Sequence, residues 1–395
     1  MQKHYIRMRR LRIGILGTRG IPNQYGDFEQ FAQYLSLGLV QRGHDVYVYN
    51  SENHPYKENA WNDVQIIHCK YPESRFGAFF GQFIYDLNCI NDSRKQAFDI
   101  ILHLGCTSDS IWHRRWPANT INIVNRGGME WQRSKYYPAR KFLKWVESLA
   151  VKHAQVLIAD SPYTQHCIET TYGKRAAYIP YGAEVFSDTD LSVFRKNKLI
   201  PNEYFLLMAR SEHENSIEMI IQGYISSQHP FPLVIIGDMA NPFGRYLISE
   251  YTNSSIRFYG PVYDQPELNN IRFYSAKYFH GHSTGGTNLF LLEAMGCSCD
   301  IVAHNNVFNK AILQTDADYF SSPEDIAGII NKPAIEAIIH HRRQSNIEKI
   351  NTIYNQEKNI NDYEQLMFIA ASKNIRLNKQ ITLYPPLHRT AEKPW

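Results

Sequence analysis

The sequence predicts an α/β protein built from two doubly wound units, each a parallel sheet covered by helices on both faces. Three observations carry that reading. Short, continuous apolar runs rich in β-branched residues recur along the chain, as strands buried on both faces require. Amphipathic stretches with helical spacing separate them. The whole pattern resets once, near "YIPYGAE" (Tyr178–Glu184), and starts again. A length of 395 residues agrees, since one core serves roughly 150 residues.

In the first half the expected strands are Ile13–Leu16, Val46–Tyr49, Val64–His68, Ile100–Leu104, Ile121–Val124 and Val156–Ala159. Helices are expected from about Phe28 to Arg42 and near Phe83–Gln96. The second half offers strands at Tyr204–Ala209, Leu233–Ile236, Ile256–Tyr259, Ala276–His280 and Asp300–Ala303, with helices around Ser216–Ser227 and after Asn288. Asn346–Ala371 reads as one long terminal helix, and the polar, proline-rich tail beyond it as a surface segment. The expected domains are therefore 1–184, 185–345 and a terminal 346–395 that packs back on the first. Open parallel sheets bind ligands beyond the carboxyl ends of their strands, so the two units are expected to face each other across a cleft.

Composition excludes several classes. With 44% hydrophobic and 20% charged residues and no apolar window long enough to span a bilayer, a cytoplasmic location is expected. A net charge of +4 is too small for nucleic-acid coating. Six scattered cysteines without a C-x-x-C pair fit reduced, buried thiols, with Cys297 and Cys299 packing after a helix. The basic, aromatic segment "RSKYYPARKFLKWVESLAVK" fits either an anionic bilayer surface or, more commonly, a charged solvent face.

Candidate chemistry clusters at strand ends. Arg210 follows "FLLMA", where its planar fork of donors would suit phosphate oxygens; a surface ion pair is the alternative. In "HGHSTGGTNLFLLEAMGC", Gly285, Gly286 and Thr287 would let a ligand touch backbone N–H groups just before a helix starting near Asn288. Of His280 and His282, one is expected to pack or bond to backbone and the other to reach the ligand. Glu293 lies in an apolar helix, where a carboxylate needs a partner: two ribose hydroxyls, or else a backbone amide or distant Arg. The first loop, "GTRGIPNQYGDFE", holds Gly17, Gly20, Tyr25, Asp27 and Glu29 but lacks G-x-G-x-x-G, which disfavours a nicotinamide cofactor. Arg126, Glu130, Trp131 and Arg133 in "VNRGGMEWQRSK" suit sugar hydroxyls and rings, or an interdomain salt-bridge cluster. The D-x-D triplets Asp188–Asp190 and Asp316–Asp318 read better as capping and loop residues than as cation ligands.

Those segments, with "ADSPYTQHCIETTYGKRAAYIPYGAE" and "YGPVYD", resemble in order the GT-B glycosyltransferases of the large retaining family four. The chain is most similar to the bacterial capsule and exopolysaccharide rhamnosyltransferases. The resemblance implies two Rossmann-like domains and a hexosyltransferase that moves a sugar, rhamnose from dTDP-rhamnose in that branch, onto a lipid-linked or oligosaccharide acceptor. It implies Arg210, Glu293 and His282 as the reactive constellation. A donor surface of Gly17, Gly20, Arg210, Asn215, Val262, Gly285, Gly286, Thr287, Asn288 and Glu293 follows. The acceptor surface would be Tyr25, Asp27, Glu29, Arg126, Glu130, Trp131 and Arg133. It implies no cofactor and no metal, a nucleotide sugar as substrate, and peripheral contact with the inner face of the cytoplasmic membrane. The chain departs from the wider family at Gly285, where a Glu is usual, and at Asn215, where a Lys is usual; from the branch it departs at Asp27, Gly127 and Leu289–Phe290. A sugar-nucleotide epimerase or hydrolase on the same fold, or a catalytically degenerate binding subunit, are the alternatives.

Overall fold

The computed structural model describes residues 9–24, 26–105, 108–127, 139–251 and 255–372. Two compact units share the chain. Among the described residues, the first holds 9–127, 141–180 and 360–372, and the second holds 139–140 and 181–359.

The first unit runs β1 (Arg12–Leu16), α1 (Asp27–Gln41), β2 (Asp45–Ser51), β3 (Ala60–Trp61), β4 (Val64–Cys69), α2 (Glu73–Ser93), β5 (Ile100–Leu104), β6 (Ile121–Arg126), α3 (Arg140–His153), β7 (Val156–Ala159), α4 (Pro162–Tyr172) and β8 (Ala177–Tyr178). Its sheet is ordered β3-β4-β2-β1-β5-β6-β7-β8, parallel except for the short edge strand β3. The expected strands lie within these elements because buried parallel strands have to be apolar throughout: every residue of β5 and β7 is buried. Leu16, Tyr49, Ile101, Val124 and Leu157 share one core.

The second unit runs α5 (Val193–Asn197), β9 (Phe205–Met208), α6 (Ile217–Ser227), β10 (Leu233–Ile236), α7 (Pro242–Tyr251), β11 (Ile256–Tyr259), α8 (Gln265–Phe273), β12 (Lys277–His280), α9 (Leu289–Gly296), β13 (Ile301–His304), α10 (Val307–Leu313), β14 (Asp318–Phe320), α11 (Pro323–Asn331) and α12 (Glu336–Thr352). Its six parallel strands are ordered β11-β10-β9-β12-β13-β14. Phe205, Leu207, Ile220, Ile235, Phe279 and Val302 form its core. In this order the winding reverses between β9 and β12, and in the first sheet between β1 and β5. Such reversals leave a crevice at the carboxyl ends of the strands, which is where each unit can take a ligand.

Two helical expectations change. The helix expected near Phe83–Gln96 starts at Glu73, its first turn joined to the rest through a break at Gly77 (φ 73°, ψ 164°). The single terminal helix is two, α12 and α13 (Gln356–Ser372), broken at Ile353–Asn355. The break is held because Tyr354 accepts a bond from the Ala183 N–H at 2.8 Å, while the Asn355 side chain accepts from the Lys358 N–H at 2.9 Å and caps the new helix. From Ile360, α13 belongs to the first unit. There Glu364 accepts from Arg42 at 2.8 Å and faces His44 Nε2 at 3.0 Å, and Tyr363 receives the Asn125 amide at 2.8 Å. The tail from 373 lies outside the described residues. No described helix is long and apolar enough to cross a membrane.

A buried carboxylate lies under the first sheet. Asp86 of α2 accepts from Gln82 at 3.0 Å and from the Ser108 hydroxyl. Burial, and then the charge of Asp109, push its pKa up to about 7. Asp109 in turn faces His103 Nδ1 at 2.8 Å. Because the folded chain holds the Asp86 proton more tightly than the unfolded chain, this stabilisation is full below the ordinary carboxylate range and is lost as pH rises through about 7. Asp86→Asn, which removes the titration, should therefore raise the thermal midpoint relative to the parent more at about pH 8 than at about pH 5. Paired thermal melts at the two pH values check this.

Candidate functional site

The second sheet brings together the loops that follow β9 and β12, its two strands at the reversal. Arg210 follows β9 and is half-buried. Its carbonyl accepts from the Glu212 N–H at 2.7 Å and from the Asn215 side-chain amide at 2.8 Å, which curls residues 210–216 into a tight turn ahead of α6. With its NH2 group on that carbonyl, Asn215 presents its oxygen to His282 Nδ1 at 3.0 Å. An amide oxygen only accepts, so Nδ1 of His282 carries a proton.

The second loop lies directly on the first. The Ser283 N–H and hydroxyl both donate to the Glu214 carbonyl, at 2.9 and 2.8 Å. Gly281 comes so close that a Cβ there would sit 2.0 Å from the Asn215 carbonyl oxygen, so no side chain fits. From the other side Asn306 and Asn309 of the α10 turn donate to the His282 carbonyl at 2.9 and 3.1 Å. Gly285 has φ +128°, a backbone state that L side chains rarely adopt, and a Cβ there would lie 2.8 Å from His282 Nε2. Arg210, Asn215, His282 and Gly285 thus form one connected group. Gly286 is half-buried, and the buried Thr287 leads into α9.

The two histidines differ in burial. His280 is the buried one. Burial, and then the neighbouring His304, hold its pKa down at about 3, so it is neutral across the physiological range. Its Nε2 and the Thr284 hydroxyl are buried with no hydrogen-bond partner among the described residues.

Three expected ligand residues have internal partners. The Asn288 side-chain oxygen caps α9, accepting from Phe290 N–H at 2.9 Å and Leu291 N–H at 3.4 Å. Glu293 has the distant arginine that the sequence offered as the alternative to a ribose: it pairs with the fully buried Arg272 of α8 and accepts from Gln265 at 2.9 Å. Arg126 differs most from its sugar-facing expectation. It is 1% exposed and donates to Glu147 of α3 at 2.6 Å. Tyr172 donates to the same carboxylate at 2.9 Å.

The remaining expected residues fall elsewhere. Val262 is half-buried in the loop between β11 and α8. Gly17 and Gly20 belong to the first unit, where they pass against the Leu104 carbonyl and the Asn50 side chain. Glu29, buried, accepts from the Arg19 N–H at 2.8 Å and ties that loop to α1, while Asp27 opens α1 with a buried, unpartnered oxygen among the described residues. Tyr25, Glu130, Trp131 and Arg133 lie outside the described residues. Of the D-x-D triplets, Asp190 accepts from Ser192, Asp316 pairs with Lys349 and Asp318 with Arg342.

Sequence reasoning missed Arg272, Glu214, Asn306 and Asn309. For Arg272 a signal was present, since it lies four residues after Leu268 and next to Ile271 on the buried face of α8. Asn306 carries the cap signal of an amide just ahead of an apolar helical turn.

Solved structures with this architecture are numerous. Sucrose-phosphate synthase from Thermosynechococcus elongatus superposes with a TM-score of 0.76 at 15% identity, over 90% of this chain and 98% of that one. Anabaena HepE, solved with UDP and glucose, gives 0.69 at 14% identity over 91% and 100%. A glycosyltransferase from Rickettsia africae gives 0.66 at 12% identity over 92% and 99%. The fold is GT-B. A sequence family described as a domain of unknown function (DUF1972) matches residues 10–184, and no curated protein matches the chain in sequence.

The Arg272–Glu293 pair yields a stability test. Removing one partner of a buried pair strands the other charge, at a cost of about 3–5 kcal/mol. Arg272→Ala should lower stability by that amount in chemical denaturation, and Arg272→Met combined with Glu293→Leu should recover most of it.

Proposed function

We propose that the chain is a glycosyltransferase that takes its donor, a nucleoside-diphosphate sugar, on the loops after β9 and β12. The observation that carries this reading is the connected group Arg210–Asn215–His282–Gly285 at the winding reversal of the second sheet, next to the start of α9. Arg210 supplies a fixed positive charge for the diphosphate, and the N–H groups of Gly285 to Thr287 supply neutral donors. HepE, of the same fold, was solved with UDP and glucose, which supports a nucleotide donor here.

The reaction fits this set of groups without a protein nucleophile. The bond between the anomeric carbon and the departing phosphate oxygen breaks as the acceptor hydroxyl adds on the same face. The acceptor proton passes to a phosphate oxygen, and Arg210 with the loop donors stabilises the charge that develops on the diphosphate. Retention of configuration follows. Asn215 positions the Arg210 turn and His282 through its two bonds, and His282 Nε2 stands against Gly285. The sugar is rhamnose from dTDP-rhamnose and the acceptor a lipid-linked saccharide of surface polysaccharide assembly, working at the inner face of the cytoplasmic membrane. The motif resemblance of the whole loop supports that part of the proposal.

Purified protein incubated with a panel of nucleotide sugars, with and without lipid-linked acceptors, should release nucleotide only when acceptor is present and should yield a heavier glycan. Nucleotide release without acceptor would point to a hydrolase or epimerase. Binding without turnover would point to a degenerate subunit. Within the same site, Arg210→Ala should weaken UDP or dTDP binding by about 2 kcal/mol, the loss of one charge-assisted partner. Titration calorimetry reads it directly.

A further inference from the structure

The first unit carries an aromatic ridge that no part of the proposed reaction uses. On either side of the break at Gly77 in α2, Phe76, Phe79 and Phe80 are exposed. Phe79 packs against Phe80 at 5.4 Å and Phe83 at 5.3 Å between ring centroids; Phe83 meets Phe142 of α3 at 6.1 Å, and Phe142 meets Trp145 at 5.9 Å. The rings therefore run continuously from one helix to the next. Phe76, Phe79, Phe80, Phe142 and Trp145 are each between 39% and 66% exposed. Leu143, Val146 and Ala150 supply the buried face of α3, whereas Phe142 and Trp145 are exposed. Scattered exposed apolar residues are ordinary, but a contiguous set is a mark of an interaction surface.

The exposed charges beside the rings are cationic, and the acid nearest them, Glu73 in the first turn of α2, is half-buried. Lys141 and Lys144 alternate with Phe142 and Trp145 and are exposed, and the Arg75 guanidinium lies over the Phe76 ring at 5.2 Å. The acid of α3, Glu147, is turned inward onto Arg126. We propose that this ridge is the surface on which the protein lies on an anionic lipid bilayer. The rings enter at the headgroup level, and Arg75, Lys141 and Lys144 meet anionic headgroups. A second copy of the chain fits less well, because a two-fold interface would set this cationic strip against itself. The inference stands on the surface alone and does not depend on the transfer reaction.

Sedimentation of the full chain with vesicles tests it. The protein should pellet with vesicles of phosphatidylcholine mixed with phosphatidylglycerol, much less with phosphatidylcholine alone, and less as salt is added. The triple variant F79S/F80S/W145S should lose at least ~tenfold in partitioning. Charge reversal by K141E/K144E, at two exposed positions, should abolish binding to the anionic vesicles. Calorimetric nucleotide affinity measured on the same variants should stay at the parental value, which separates this surface from the donor site. Parental partitioning in both variants, or no binding of the parent to anionic vesicles, would overturn the proposal. So would a parental dimer that the triple variant dissolves, because the ridge would then be covered by a second copy.

Discussion

The second unit's site depends on one close approach of backbone to backbone. β9 and β12 are neighbours in the sheet, and the loops leaving them can overlap only if one of them lacks a side chain at the crossing. That residue is Gly281, whose missing Cβ would stand 2.0 Å from the Asn215 carbonyl. The contact fixes Asn215, Asn215 fixes the Arg210 turn and holds the His282 ring, and Ser283 locks onto Glu214 beside it. The asparagines of the α10 turn close the set from behind. A ligand therefore meets a surface whose hydrogen-bond directions are already set, which is how a fold offers electrostatic stabilisation without reorganising its own dipoles.

Around the sheets, buried ion pairs hold helices in register. Arg126 with Glu147 secures α3, Arg272 with Glu293 secures α8 against α9, and Glu364 between Arg42 and His44 seats α13 on the first unit. Such pairs contribute little net stability compared with apolar packing, but losing either member is costly. The carboxylate inside the apolar run of α9 is accounted for in this way: it is one half of a helix clamp at the edge of the candidate site.

Much of the fold was legible because continuous β-branched runs leave few alternatives to parallel strands buried on both faces. The glycine loop and the start of α9 were legible too, since Asn288 is a cap residue placed just ahead of an apolar run. What local patterns do not contain is partner choice. Arg126 reads as a loop arginine until Glu147, distant in sequence, is seen to bury it, and the link between Asn215 and His282 arises only once β9 and β12 are neighbours. The break between α12 and α13 is of the same kind, fixed by a bond from Ala183. The aromatic ridge is legible only in part: "KFLKW" shows alternating charge and ring, while Phe79 and Phe80 join it through Phe83 in space.

Amide hydrogen exchange with and without a nucleoside diphosphate tests the central claim most directly, because it reports on every loop at once. Added UDP or dTDP should slow exchange in residues 210–216 and 281–292 and leave the first unit's loop 17–27 unchanged. Protection confined to loop 17–27, or none in either region at saturating nucleotide, would contradict a donor site built on the contact between Gly281 and Asn215.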